Sequence, residues 1–176
     1  MTSVFESTRP GTPRSQTAPR AMRIHLTSGV GSGPTELAAF DAALADAGVA
    51  NYNLLCLSSV IPPRAQIVHE RHHSRPEDYG RRLYVVMSQM RESTPGNTAH
   101  AGIGWVQETE TGCGLFVELH DCNRVQLEHD LAATLEAMRA SREFNYGPVH
   151  TEIASAACVD RPVCALVVAV YACEPW

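Results

Sequence analysis

The sequence predicts an α/β fold in which two amphipathic helices cover the faces of β-sheets. Apolar residues recur at helical spacing in two segments, near 34–47 and 124–142. About seven other segments are short and either alternating or apolar, and turn residues bound them. The order is strand, helix, strand, a loop, three strands, helix, two strands. This order is typical of a sandwich whose helices pack on sheet faces.

The first helix has a strand on each side. Arg23–Thr27 alternates polar and apolar residues and predicts the first strand. Ser28–Gly33 should form a glycine-rich loop, and Pro34 should occupy the first turn of the helix. The second strand is predicted at Asn51–Leu57, and a long polar loop at Arg64–Gly80. The apolar stripe of this helix should consist of Leu37, Phe40, Leu44 and Ala47.

The second half should contain five strands and one helix. The nearly continuous apolar run Val163–Tyr171 is expected at the centre of its sheet. A hairpin turn is expected at 108–112. The helix is predicted at about Arg124–Arg142, and the other strands at Leu83–Met90, His100–Val106, Gly114–His120 and Val149–Ala157.

Composition excludes several classes of function. The chain has 176 residues and a net charge of −5, which argues against a nucleic-acid-binding face. It contains no apolar stretch long enough to span a membrane. Its six cysteines form no Cys-x-x-Cys pair and are expected to be reduced, buried thiols. We therefore expect a cytoplasmic protein.

Residues 1–21 differ in composition from the rest of the chain. They are rich in Ser, Thr, Pro and Arg, and Glu6 is their only acidic residue. We expect a disordered N-terminal extension, or a true start at Met22, rather than a targeting peptide. The domain itself is expected to span 22–176.

Two motifs suggest chemistry but favour simpler interpretations. The loop Gly29–Gly33 lacks the Lys-Ser/Thr of a phosphate-binding loop, and a strand-to-helix turn is the better interpretation. His69, His72 and His73 lack the paired spacing of metal ligands, so no metal site is predicted.

The Ser58–Ser59 pair is the most informative feature of the sequence. It lies where an apolar run ends and Pro62–Pro63 stops any further strand. A serine hydroxyl aimed at the preceding carbonyl can attack its own backbone. Taken alone, the pair is an ordinary turn at the end of a strand.

The surroundings of the pair resemble the pyruvoyl-dependent arginine decarboxylases. Three segments carry this resemblance, in order: Leu37–Val49, the block Asn53–Pro63, and Gly112–Glu118. The similarity extends from about Met22 to the C-terminus and is strongest at 31–63. The family implies a four-layer αββα sandwich, assembled as a trimer with sites between subunits.

The resemblance also implies self-cleavage. In that family the second serine of the pair, here Ser59, attacks the carbonyl of Ser58. The product is a β chain, 1–58, and an α chain, 59–176, that begins with a pyruvoyl group derived from Ser59. This covalent group forms a Schiff base with the substrate amine and accepts electrons as pyridoxal phosphate does. No metal and no pyridoxal phosphate are then expected.

The family match assigns roles to five further positions. It implies that Asn53 assists processing and that Glu118 returns a proton to the substrate carbon. It places Asp41 on the substrate guanidinium, with Leu44 and the new Ser58 carboxylate lining the same pocket. Each of these residues also has a simple structural interpretation, as a strand-start amide or a surface carboxylate, for example.

The resulting hypothesis is a self-processing enzyme that converts L-arginine to agmatine and carbon dioxide. One alternative is the same chemistry on ornithine, lysine or histidine. Another is an unprocessed homologue that acts only as a binding or assembly partner of an active decarboxylase.

Overall fold

The computed structural model describes residues 21–176 and contains two helices and nine strands within that range. Helix α1 spans Glu36–Asp46 and helix α2 spans Arg124–Ala140. A short 3-10 helix lies at Pro76–Asp78. The strands are β1 Arg23–Ser32, β2 Asn53–Cys56, β3 Val60–Ile61, β4 Gln66–His69, β5 Arg82–Glu92, β6 Thr98–Gln107, β7 Gly114–Asp121, β8 His150–Ala157 and β9 Val163–Glu174.

The elements form four layers, which confirms the predicted αββα sandwich. The first sheet has the order β2-β5-β9-β1-β4, and the second has the order β3-β7-β6-β8. Helix α1 packs on the outer face of the first sheet, against residues such as Leu166. Helix α2 packs on the outer face of the second sheet through Leu127, Leu131 and Leu135. A third apolar cluster, which includes Phe116, fills the space between the sheets.

Strand β9 lies at the centre of the first sheet, as its apolar sequence predicts. It pairs antiparallel with both β1 and β5, and the run Cys164–Ala169 is completely buried. The hairpin between β6 and β7 is also confirmed. Its turn is held by the Glu108 carboxylate, which accepts backbone N–H groups of Glu110 and Thr111 at 2.9 and 2.6 Å.

The predicted glycine-rich loop is wrong, because Ser28–Ser32 continues strand β1. Gly29 and Gly31 alternate along this strand and face α1. A Cβ atom on Gly29 would collide with the carbonyl of Ala43, and one on Gly31 with that of Ala39. The glycines therefore let the helix approach the sheet closely, which is a packing role rather than a turn.

The predicted start and apolar face of α1 also need correction. Thr35, not Pro34, caps the helix, and its hydroxyl accepts the N–H of Ala38 at 3.2 Å. The completely buried helix residues are Ala39 and Ala43, because only small side chains fit against the glycines of β1. The larger predicted residues lie further out: Leu37 is 66% exposed, and Phe40 and Leu44 are half-buried.

The segment 64–80 is more ordered than a loop. It contains β4, which pairs in parallel with β1, and the 3-10 helix at Pro76–Asp78. Strand β4 has only four residues and is an edge strand, so its sequence carries little periodic signal.

All six cysteines are free, but burial was predicted too broadly. Cys158 and Cys164 are buried, Cys113 is half-buried, and Cys56, Cys122 and Cys173 are exposed.

The prediction of a disordered extension concerns residues 1–21, of which 1–20 lie outside the described residues. Neither helix in the described range is long and apolar enough to cross a membrane.

Candidate active site

The Ser58–Ser59 pair lies where the chain passes from one sheet to the other. The N–H of Leu57 still donates to the Val85 carbonyl at 2.9 Å, which extends the β2 ladder of the first sheet. Three residues later, Val60 pairs with Leu115 in the second sheet. The two serines therefore form the whole connection between the sheets, as their place between an apolar run and two prolines suggests.

The backbone of this connection is strained at Ser59. Its φ is 64°, in the left-handed region that residues other than glycine rarely adopt. For an L-residue this conformation costs roughly 1–2 kcal/mol. Such a conformation persists only where surrounding contacts hold it, and it is often found at functional sites.

Strand β7 provides the contacts that hold Ser59. The Ser59 hydroxyl donates a hydrogen bond to the Glu118 carboxylate, and the Ser59 carbonyl accepts the N–H of Phe116 at 2.8 Å. Glu118 is half-buried and Phe116 is buried. A nucleophilic hydroxyl and a carboxylate that can accept its proton are therefore paired beside the Ser58–Ser59 peptide bond.

Glu118 lies at the rim of the space between the sheets. Tyr171 of β9 faces the same space, and its ring packs edge-on against Phe116, with ring centroids 6.2 Å apart. Burial and the nearby Glu118 carboxylate raise the pKa of Tyr171 well above its usual range. The sequence predicted the shared face of Phe116 and Glu118, but it gave no signal for Tyr171, which is 53 residues further along the chain than Glu118.

Asn53 lies away from the serine pair in the same chain. Its amide N–H donates to the Gly80 carbonyl at 2.7 Å, at the start of β2. Strand geometry of roughly 3.3 Å per residue puts Asn53 about 13 Å from Leu57. This contact is the hydrogen bond at the start of a strand that a purely structural interpretation of Asn53 predicts. The processing role of Asn53 stays a prediction.

Asp41 and Leu44 lie on the outer side of α1, which is a layer away from Ser59. Together with Thr35, Leu37, Ala38 and Phe40 they line a mainly apolar groove of about 500 Å³. The first sheet separates this groove from the second sheet, which holds Glu118 and begins at Val60, next to Ser59. The structure therefore brings Ser58, Ser59 and Glu118 together, and it places Asp41, Leu44 and Asn53 elsewhere in the chain.

One histidine of the predicted polar loop, His72, is half-buried in a polar network. His72 Nε2 lies 3.3 Å from the Tyr52 hydroxyl, and that hydroxyl donates to Asp78 at 3.3 Å. Burial and the neighbouring His25 lower the pKa of His72, while burial and Asp78 raise that of Tyr52. Across residues 21–176 no group of three or more metal-ligating side chains is positioned to hold an ion.

Comparison with known proteins agrees with this geometry. A model of the pyruvoyl-dependent arginine decarboxylase family matches residues 23–174. A pyruvoyl-dependent arginine decarboxylase of Halobacterium salinarum is 42% identical over 99 residues, which cover 56% of this chain and 61% of that protein. Pyruvoyl-dependent arginine decarboxylase 1 of Methanosarcina mazei is 35% identical over 82 residues, covering 47% of this chain and 50% of that protein.

A third relative, the pyruvoyl-dependent arginine decarboxylase of Thermoplasma volcanium, is 37% identical over 98 residues, covering 55% of this chain and 54% of that protein. The chain thus spans roughly half to three fifths of the length of these curated relatives. The family match extends over almost all of the described residues. The chain therefore belongs to the pyruvoyl-dependent arginine decarboxylase family.

Proposed function

We propose that this chain cleaves its own Ser58–Ser59 peptide bond and that the processed protein decarboxylates L-arginine to agmatine and carbon dioxide. The observation that carries the proposal is the Ser59 hydroxyl, which is bonded to Glu118 within a strained turn. The names of the relatives support the substrate.

Cleavage begins with the Ser59 hydroxyl. Glu118 accepts its proton while the oxygen attacks the Ser58 carbonyl carbon, and the amide becomes an ester as the nitrogen of residue 59 gains a proton. Loss of the α-proton of residue 59 then expels the Ser58 carboxylate. Water hydrolyses the remaining dehydroalanine to a pyruvoyl group and ammonia. Release of the strain at Ser59 favours the first step.

The residues around Ser59 fit a pyruvoyl group at that position. When formed, this group supplies an electron sink for the charge left by loss of carbon dioxide. The N–H of Phe116 already donates to the carbonyl of residue 59, so it can stabilise charge at that oxygen. Glu118 lies beside the same residue and is placed to return a proton to the substrate carbon.

Binding of arginine requires residues that lie far from Ser59 in one chain. The groove on α1 offers apolar side chains for the methylene stem of arginine and the Asp41 carboxylate for its guanidinium. Since the first sheet separates this groove from Ser59, a neighbouring copy must supply it, and Asn53 with it. A homotrimer of processed protomers, with the Ser58 carboxylate also near the substrate, meets this need.

The proposal is tested by intact mass spectrometry of the purified protein together with carbon dioxide release. We expect two chains, 1–58 and 59–176, and a carbonyl on the second that reacts with hydrazine. Arginine should be decarboxylated faster than ornithine, lysine or histidine. Activity on another of these and not on arginine would change the substrate, and a persistent single chain would favour the unprocessed assembly partner.

A shared site predicts recovery of activity in mixed assemblies. We expect Asp41→Asn to lower kcat/KM for arginine by about 100-fold, because it removes one partner of a charge-assisted pair. Ser59→Ala should be inactive. Co-expressed in equal amounts, the two variants should regain active sites at about a quarter of the interfaces if pairing is random. Activity no higher than that of Asp41→Asn alone would place the whole site in one chain.

The proposal also covers the location of the protein and the extent of its domain. The protein would act in the cytoplasm, since its cysteines are free thiols. The domain would span 22–176, preceded by the extension 1–21.

A further inference from the structure

Tyr171 contacts Val60, the second residue after the proposed cleavage point. Its hydroxyl donates to the carbonyl of Val60 at 3.0 Å. This bond joins β9 of the first sheet to β3 of the second, so it crosses the space between the two sheets.

The surroundings of Tyr171 keep its hydroxyl in place as a donor. The ring packs against Phe116 at an interplanar angle of 68°, which fixes its direction. Burial and the negative charge of Glu118 both oppose ionisation of the phenol, so its pKa is raised and the proton is retained at neutral pH. The hydroxyl therefore serves as a neutral donor to the Val60 carbonyl.

Cleavage makes the hydrogen bond from Tyr171 to Val60 more important for local order. In the intact chain, residue 59 is held covalently on both sides. After cleavage, residue 59 becomes a chain end, and chain ends lose order unless they are tied down. Strand β3 has only two residues, so little of the ladder with β7 remains to hold that end.

Apart from that two-residue ladder, two hydrogen bonds are available to hold the new end. One is the N–H of Phe116 on the carbonyl of residue 59, and the other is the Tyr171 hydroxyl on the carbonyl of Val60. The first bond depends on backbone that any residue provides, whereas the second depends on one side chain.

We propose that Tyr171 is a positioning residue that holds the newly formed N-terminus of the α chain beside Glu118. The inference depends on the proposed self-cleavage and extends it: Tyr171 becomes important once the chain has been cut. It acts through Val60 and is not expected to touch the substrate.

Tyr171→Phe tests this role, since it removes the hydroxyl and keeps the ring against Phe116. We expect intact mass to show normal cleavage and KM for arginine to be unchanged. We expect kcat to fall by roughly tenfold, as one positioning hydrogen bond is lost. Tyr84→Phe is a matched control, because the Tyr84 hydroxyl lies in the same sheet and donates to Glu174, near the C-terminus, at 3.1 Å. It should leave kcat unchanged.

Hydrogen exchange separates positioning from a general structural effect. Tyr171→Phe should speed exchange of the amides at 60–61 in the cleaved enzyme. In the Ser59→Ala background, where the chain stays intact, the same substitution should have little effect. An unchanged kcat, or equally faster exchange in both backgrounds, would overturn the proposal.

One comparison requires no change at Tyr171. The amides at 60–61 should exchange at similar rates in the cleaved protein and in intact Ser59→Ala, because the hydrogen bond from Tyr171 to Val60 remains after cleavage. Marked loss of protection on cleavage would also overturn the proposal. If the natural chain is never cleaved, intact mass spectrometry shows a single chain. That result contradicts the proposed self-cleavage rather than the role of Tyr171.

Discussion

We expect Ser59→Ala to remain a single chain of 176 residues with no detectable decarboxylation of arginine. Alanine has no hydroxyl to attack the Ser58 carbonyl, so neither the ester nor the pyruvoyl group can form. Because this variant lacks the group on which every later step depends, the loss should be complete. Intact mass spectrometry and carbon dioxide release measure the two effects on the same sample.

Ser58→Ala is the matched control, one residue away. Cleavage uses the carbonyl of residue 58 and not its side chain, and the Ser58 side chain is exposed. This variant should therefore still give two chains. Failure of both variants to cleave would point to a general disturbance of the turn, and cleavage of Ser59→Ala would refute the assignment of the nucleophile.

Local sequence patterns predicted the parts of the fold that depend on burial and periodicity. The central position of β9 follows from its apolar run, and the hairpin between β6 and β7 follows from the turn residues between them. Strand β1 was mistaken for a loop in part. Its glycines look like a turn when the sequence is considered alone, and their role is seen only where α1 meets the sheet.

The candidate site also has features that the sequence predicts and features that it does not. The serine pair and its position at a strand end are visible in the sequence, and the family resemblance adds Glu118. The contacts that position them are not local: Phe116 N–H and the Tyr171 hydroxyl reach residues 59 and 60 from 57 and 111 positions away along the chain. Such pairings depend on sheet register, which no short motif encodes.

The separation of Asp41 from Ser59 predicts that self-cleavage and arginine binding depend differently on assembly. In the proposed function, processing and arginine binding use residues on opposite sides of the first sheet, so we expect the chemistry at Ser59 to proceed in one chain and the binding of arginine to need two. Self-cleavage should therefore persist in protein diluted below its assembly concentration, provided that Asn53 of a neighbour is not required. The processing role predicted for Asn53 is thereby tested separately from that of Glu118.

Glu118→Gln should weaken both stages of the chemistry. Glutamine keeps the size of the side chain and can still accept the Ser59 hydrogen bond, but it neither takes up nor supplies a proton. Because general acid–base catalysis contributes about 10²–10⁴-fold, we expect kcat of any processed enzyme to fall by about that factor. Self-cleavage should be slowed from the same cause, as followed by intact mass over time.

Glu152→Gln is a closely matched control for this variant. Glu118 and Glu152 lie on the two strands that flank β6, and both pair with Ile103. Each also accepts a serine hydroxyl, but the partner of Glu152 is Ser28, at 3.3 Å and far from the cleavage point. Charge, strand position and hydrogen-bond type are therefore matched, although Glu152 also lies 3.6 Å from His69 Nδ1. Glu152→Gln should cleave and turn over normally, and an equal loss in both variants would mean that Glu118 acts through the sheet rather than through Ser59.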